Sequence, residues 1–450
     1  MPAPPIWYRE FLVVWLCIAA ARTASARREL PERALLQAPS TAPQPPSSTC
    51  TATAQAFNVL PEPFNRATFP STENDVMGAA GANGAFGSPN CSFLVVQPEF
   101  AAILGSSSQV QILAAKDYAF AHEGAVYLPA NNSVFFTSDR LGDTKTANQY
   151  VELWKVDLAT GATTQLNPVG AEVPMANGAT NYLGGILVIS QGLGDKGSSL
   201  VAMNADGSNS RTILNNYFGL KFNSMNDVVV SRSRTLFFTD PAYGFAQGFR
   251  AAPQLGAFVW RLAPASANRQ PAPPQLAADG FVRPNGLALS PDETVLYVTD
   301  TGALTGEAGA AFNPASPHTI YAFDVRDGTY LLNRRVFALT DSVIPDGLKV
   351  DAAGNVYAGT GDGVDVFSPA GTLLATTSGG SESKGKNAWD DPMHPSTWKG
   401  NHMGWLVLLG AGAASYSVLK WWAKGQQEEK QAGVLGNDAR AAPDRGTARK

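Results

Sequence analysis

Five short apolar strands with similar endings recur through the middle of the chain. They are VFFTSD at 134–139, ILVIS at 186–190, LFFTD at 236–240, LYVTD at 296–300 and VYAGT at 356–360. Their starts are separated by 52, 50, 60 and 60 residues. A polar residue precedes each one (Glu123, Asn177, Asn226, Asn285 and Asp346), and in four of the five copies a glycine follows it directly. The interval from polar residue to strand start is 11, 9, 10, 11 and 10 residues. Four copies continue with a second apolar strand running into a turn glycine, from Trp154 to Gly161, Leu200 to Gly207, Tyr321 to Gly328 and Val364 to Gly371. The Asp206-Gly207 and Asp327-Gly328 steps are hairpin chemistry, because glycine accepts the positive φ that such turns need. Repeats of about 50–60 residues with several strands each specify a β-propeller. Solenoid repeats are shorter, and a sandwich does not repeat.

Composition agrees with an all-β fold. The 450 residues include 43 Gly and 31 Pro, 44% are hydrophobic and only 16% charged, against about 25% charged in an average domain. The formal net charge is −4 and the body of the chain carries no basic block, which argues against a nucleic-acid partner. Gly192-x-Gly194-x-x-Gly197 matches a dinucleotide fingerprint, but SSLVAMNADG follows it and reads as a strand and hairpin turn. The fingerprint requires a helix there to receive the pyrophosphate, so that function is rejected.

The register of the repeat points to a site. In a propeller the start of each innermost strand faces the central channel, so the five polar residues are expected to converge on the axis. Glu123, Asn226, Asn285 and Asp346 supply two carboxylates and two amide oxygens. An oxygen-only donor set with two negative charges suits a hard cation, above all Ca²⁺, rather than zinc. The glycine that follows the polar residue in four of the five copies is expected to let the backbone turn tightly there.

Both ends of the chain read differently from its middle. Residues 11–20, FLVVWLCIAA, precede Ala24-Ser25-Ala26, the pattern of a secretory signal over 1–26; an uncleaved N-terminal anchor is the alternative. Cys50 and Cys91 then remain, able to pair in an oxidising compartment or to stay free. Asn90-Cys91-Ser92 and Asn131-Asn132-Ser133 are glycosylation sequons. Residues 27–91 form a Pro/Ser/Thr-rich linker and lead-in, 92–376 carry the propeller, 377–402 are a polar linker and 423–450 a disordered tail. Between the last two, 403–422 begin with 17 residues without a charge, Met403 to Leu419, with Trp405, Trp421 and Trp422 near the ends and Lys420 and Lys424 following. That length is at the lower limit for a transmembrane helix, and an amphipathic or buried helix is the alternative. The protein is therefore expected to be secreted, or tethered to a membrane through 403–422, and monomeric.

Four stretches carry a family resemblance: HEGAVYLP at 122–129, MNDVVVSRSRTLFFTDPAYG at 225–244, RPNGLALSPDETVLYVTD at 283–300 and IPDGLKVDAAGNVYAGTGDGVDVFSPAG at 344–371. In these the chain resembles the gluconolactonase, senescence-marker-protein and luciferin-regenerating-enzyme family of calcium-dependent six-bladed propellers. Within it the chain looks most like the extracellular lactonohydrolases. The resemblance implies Ca²⁺ held by Glu123, Asn226, Asn285 and Asp346, the set that the repeat register selects independently. It further implies Asn177 and Asn226 in the substrate pocket, and Asp227 behind the metal or against substrate. The implied reaction is hydrolysis of a small lactone of aldonate or pantoyl type, with Asp346, Asp227 and His122 as candidate bases. His122 directly precedes Glu123, so on an extended strand it is expected to point to the other face and to serve structure. The alternatives are a phosphotriesterase-like hydrolase on the same ion and a non-catalytic binding propeller. The chain departs from the family in its sixth blade: 92–118 offers one or two strands, and 379–402 has no alternating apolar pattern. The expected fold is thus a six-bladed propeller with an incomplete sixth blade and a C-terminal hydrophobic helix. Either the ring is open or the C-terminus is a splice or gene-model product.

Overall fold

The computed structural model describes residues 93–378, except 105–110, 117, 119, 144–147, 265–272, 307–311, 341–343 and 361–362, together with the strands Glu10–Val14 and Thr49–Thr51. Within these residues five antiparallel blades follow one another along the chain. From the inner strand outward, blade 1 comprises Glu123–Leu128, Ser133–Thr137, Leu153–Asp157 and Thr163–Leu166. Blade 2 comprises Ala176–Tyr182, Gly185–Ser190, Ser199–Met203 and Arg211–Leu214. Blade 3 is built of Val228–Val230, Leu236–Asp240, Phe258–Leu262 and Gln275–Ala278, and blade 4 of Pro284–Leu289, Val295–Asp300, Thr319–Arg326 and Tyr330–Leu339. Blade 5 runs through Leu348–Val350, Val356–Thr360, Gly363–Phe367 and Leu373–Ser378. The second strand of every blade is one of the five repeated apolar runs.

The expected sixth blade is not formed among the described residues, and the strands assigned to it go elsewhere. Phe93–Val95 pairs antiparallel with Leu373–Ser378 and extends the outer edge of blade 5, with Thr49–Thr51 parallel beyond it. Gln111–Lys116 pairs with Glu10–Val14 as a separate two-stranded sheet. The physical reason is visible in blade 1, whose Phe120, Val134, Phe136, Trp154 and Val156 form a buried cluster against Leu113 and Ala114. That apolar face needs a cover, and the strand Gln111–Lys116 supplies it. The segment 403–422 lies outside the described residues; among those described, no helix is long and apolar enough to cross a membrane.

Apolar clusters lie between successive blades. Val126, Phe135, Ile186 and Val201 join blades 1 and 2; Leu187, Leu200, Phe238 and Trp260 join blades 2 and 3. Phe237, Val259, Leu287 and Phe323 join blades 3 and 4, and Tyr297, Ile320, Val356 and Phe367 join blades 4 and 5. Second strands of four or five consecutive buried residues, such as Leu236–Asp240, follow from this arrangement, because both faces of a blade meet a neighbour.

The polar-Gly step has a specific geometry. In blades 1, 2 and 4 the register of the inner strand shifts at that step, between Glu123 and Val126, Ala176 and Ala179, and Pro284 and Leu287. Such an irregularity lets two successive residues face one side of a strand. Only Gly124 has a positive φ, of 71°. At the others the requirement is space: a Cβ on Gly178 would lie 2.4 Å from the Asn226 carbonyl oxygen, and one on Gly286 would lie 2.6 Å from that of Asp346. Each glycine therefore admits the main-chain carbonyl of the next blade's site residue. Gly347 has nothing within 4 Å of that position. Gly286→Ala is accordingly expected to cost about 1–3 kcal/mol, the usual penalty of overpacking, whereas Gly347→Ala should stay within about 0.5 kcal/mol of the parent. Chemical denaturation of the two variants checks this.

Candidate functional site

The site lies where the inner strands begin. Glu123 opens the inner strand of blade 1, Asn177 lies in that of blade 2, and Asn226 and Asp227 immediately precede that of blade 3. Asn285 lies in the inner strand of blade 4, and Asp346 two residues before that of blade 5. Ligand atoms of His122, Glu123 and Asp346 all lie within 4.8 Å of one another. Blades 1 and 5 thus meet at the axis through their site residues.

His122 therefore does not point away, contrary to the expectation from strand alternation. It lies just outside the regular strand, with its N–H donated to the Thr137 carbonyl at 2.7 Å. The irregularity that follows at Glu123 and Gly124 breaks the two-residue alternation on which the expectation rested.

The amides carry the most informative feature. Asn177, Asn226 and Asn285 are buried, and the Oδ1 atom of each has no hydrogen-bond partner. A buried carbonyl oxygen left unpaired is costly, and native structures rarely tolerate several together without a ligand. Asn285 is held at its other amide atom, which donates to the Tyr243 hydroxyl at 3.3 Å and to the Asp346 carboxylate. That leaves Oδ1 as its free acceptor.

The carboxyls are strained in the same sense. Burial pushes the Asp346 carboxyl up to about 7, against the hydrogen bond from Asn285 and with the help of the Asp227 charge. Burial also holds Glu123 well above the usual carboxylate range, with the charges of Asp346 and Asp227 adding to it. Asp227 is raised by burial too, opposed by the Lys349 charge and by the N–H groups of Val228 and Leu287. Its oxygens accept from those amides at 2.8 Å and 3.2 Å, so both are already engaged. Three acids crowded with few cations, beside unpaired amide oxygens, form a donor set that a divalent cation fits.

Tyr243 is a site residue that the sequence did not single out. It lies on the one-turn helix Tyr243–Ala246, which follows the outgoing strand of blade 3, and its buried ring brings the hydroxyl to Asn285. Its only sequence signal is the DPAYG turn at 240–244, within a stretch that carries the family resemblance.

A family model described as the SMP-30/Gluconolactonase/LRE-like region matches residues 122–382. The chain belongs to this family. Among its curated relatives, a gluconolactonase of Zymomonas mobilis is 30% identical over 317 residues, covering 67% of this chain and 81% of that one. A lactonohydrolase of Aspergillus oryzae is 28% identical over 305 residues, covering 63% of this chain and 67% of the relative. A solved gluconolactonase from Xanthomonas campestris, 30% identical, superposes with a TM-score of 0.49 over 63% of this chain and 84% of its own. In this member of the family, residues 122–382 take in all five blades and every site residue named above.

One buried acid near the site has a consequence for stability. Burial raises Asp240 to about 7, opposed by the N–H groups of Asn223 and Ser224 and by Arg250. Its folded value exceeds the unfolded value of about 3.9, so between those limits the folded state holds a proton that the unfolded state has lost. Stability should then fall as pH rises from about 4 to about 7 and level off above, by on the order of 1 kcal/mol per pH unit. Asp240→Asn removes this group's share of the slope. Urea denaturation of chelator-treated protein across this range measures it, and an equal slope in both proteins would contradict the assignment.

Proposed function

We propose that this chain is a metal-dependent lactonase in which Glu123, Asn226, Asn285 and Asp346 hold a calcium ion at the propeller axis. Hydrolysis of a lactone rests on membership of the family and on the activities named for the Zymomonas and Aspergillus relatives. The observation that carries the metal is the set of buried, unpaired amide oxygens beside carboxyls pushed upward by burial. A bound divalent ion would supply Lewis acidity toward the ester carbonyl. The residues of the chain do the rest. Asn285, fixed by Tyr243 and Asp346, presents Oδ1 to the axis. Burial holds the Asp346 carboxyl up to about 7 without an ion; the charge of a bound cation would lower it and keep the carboxylate ionised, the form a general base needs to take a proton. His122, close to both carboxylates, is a second group able to take or return that proton. Asp227 has both oxygens occupied by backbone amides, which favours a supporting role over proton transfer. Asn177, buried with a free Oδ1 in the next blade, lines the substrate pocket.

The substrate class is a small aldonate or pantoyl-type lactone, and the protein acts as a monomer. Export through the 1–26 signal, whose removal would take Glu10–Val14 away from Gln111–Lys116, fits the sequons, of which Asn131 lies exposed on the turn between the first two strands of blade 1.

Purified protein should open a lactone in a pH-stat assay, lose the activity to EDTA and regain it with Ca²⁺. Asn285→Ala and Asp346→Ala should each lower metal content and rate by at least roughly 10-fold, the loss that even outer-shell changes produce. Unchanged metal content and rate in both variants would refute the ligand assignment.

A further inference from the structure

The repeat ends its second strands with a Thr-Asp step in blades 3 and 4, and these two residues are tied to the site in a regular way. In blade 3, Asp240 accepts the N–H groups of Asn223 and Ser224 at 3.1 Å and 3.0 Å. In blade 4, Asp300 accepts those of Val282 and Arg283 at 3.0 Å and 2.8 Å. In both blades the clasped amides lie three and two residues before the blade's own site residue, Asn226 or Asn285. The threonines reach the other way. Thr239 Oγ1 donates to the main-chain carbonyl of Asn285 at 2.7 Å, and Thr299 Oγ1 donates to that of Asp346 at 2.8 Å. Thr239, Asp240, Thr299 and Asp300 are all fully buried.

We propose that the Thr239-Asp240 and Thr299-Asp300 steps are positioning elements for the metal ligands. Each aspartate fixes the approach to the ligand of its own blade, and each threonine fixes the backbone of the ligand in the next. Asn226, Asn285 and Asp346 are thereby held at one mutual spacing, and Asn285 is held from both sides. Among the described residues the device is confined to these blades. Blade 2 has Ser190-Gln191, whose serine donates to Pro174 instead, and the Thr137 and Thr360 hydroxyls of blades 1 and 5 are buried without a partner. Backbone carbonyls held by buried hydroxyls keep a fixed orientation, which is how outer-shell groups tune metal affinity.

This inference rests on the calcium assignment above, so the test separates the two. Calcium affinity is measured by isothermal titration calorimetry on chelator-treated full-length protein and on Thr239→Val, Thr299→Val, the corresponding Ser variants, Asp300→Asn and Thr235→Val. The Val variants keep the branched shape and lose the hydroxyl, and should bind Ca²⁺ about 10–100-fold more weakly, with Ser restoring affinity. Asp300→Asn, with one acceptor oxygen for the amides of Val282, Arg283 and Gly302, should weaken it likewise. Thr235, buried immediately before the same strand with its hydroxyl hydrogen-bonded to that of Ser233 at 3.2 Å, is the structural control; its variant should lose thermal stability and keep affinity. Unchanged affinity in both Val variants, or an equal loss in the Thr235 variant, overturns the proposal. Should the parent bind no Ca²⁺, the calcium assignment fails, and hydrogen exchange then decides the positioning role without metal. Thr239→Val should speed exchange in Pro284–Leu289 of the adjacent blade, and acceleration confined to Leu236–Asp240 overturns it.

Discussion

The main-chain carbonyls of Asn226, Asn285 and Asp346 are the contacts on which the ring depends. In a regular blade such groups would face solvent in the channel. Here the Asn226 and Asp346 carbonyls dock against a glycine of the preceding blade, close enough that a single Cβ would displace them. Those of Asn285 and Asp346 also accept a buried threonine hydroxyl. The apolar clusters between blades supply most of the stabilisation, at about 25 cal/mol per Å² of apolar surface buried. They are insensitive to direction, whereas the carbonyl contacts fix the angle at which adjacent blades meet. The side chains beyond those carbonyls therefore converge at a spacing set by backbone, and backbone moves less than side chains do.

That convergence has an unfavourable side. Glu123, Asp227 and Asp346 are held where burial opposes their ionisation, and three amide oxygens lack partners. Each such group lowers the stability of the folded chain, and the cores between blades must offset the sum. Sites that keep polar groups unsatisfied in advance are poised for a ligand, because binding removes a penalty as well as forming contacts.

The sequence carried the fold class and the inner edge of the site because both depend on periodicity. Five strands with one spacing can stack only as blades, and a polar residue at a fixed offset from each is forced to the same place in each. What it did not carry depends on departures from periodicity. The bulge at Glu123–Gly124 turned His122 inward, against strand alternation. The value of Gly178 and Gly286 proved to be the volume they leave free, not a left-handed backbone. Tyr243 reaches Asn285 from a helix inserted between two strands, where no repeat places a residue. The sixth blade failed for a related reason: alternation marks a segment as a strand, but the nearest unfilled apolar face decides where it pairs.

The pairing of Phe93–Val95 with Leu373–Ser378 has a kinetic side. Phe93–Val95 is made before any blade and its partner Leu373–Ser378 only after four complete blades. Contacts across so long a stretch of chain form slowly, because loop closure precedes any reward. Blades 1 to 4, built from neighbouring hairpins, can assemble while the early strand waits. Its edge stays open to other chains until Leu373–Ser378 arrives, which makes this seam the step at which a chaperone or a second nascent chain would compete with correct folding.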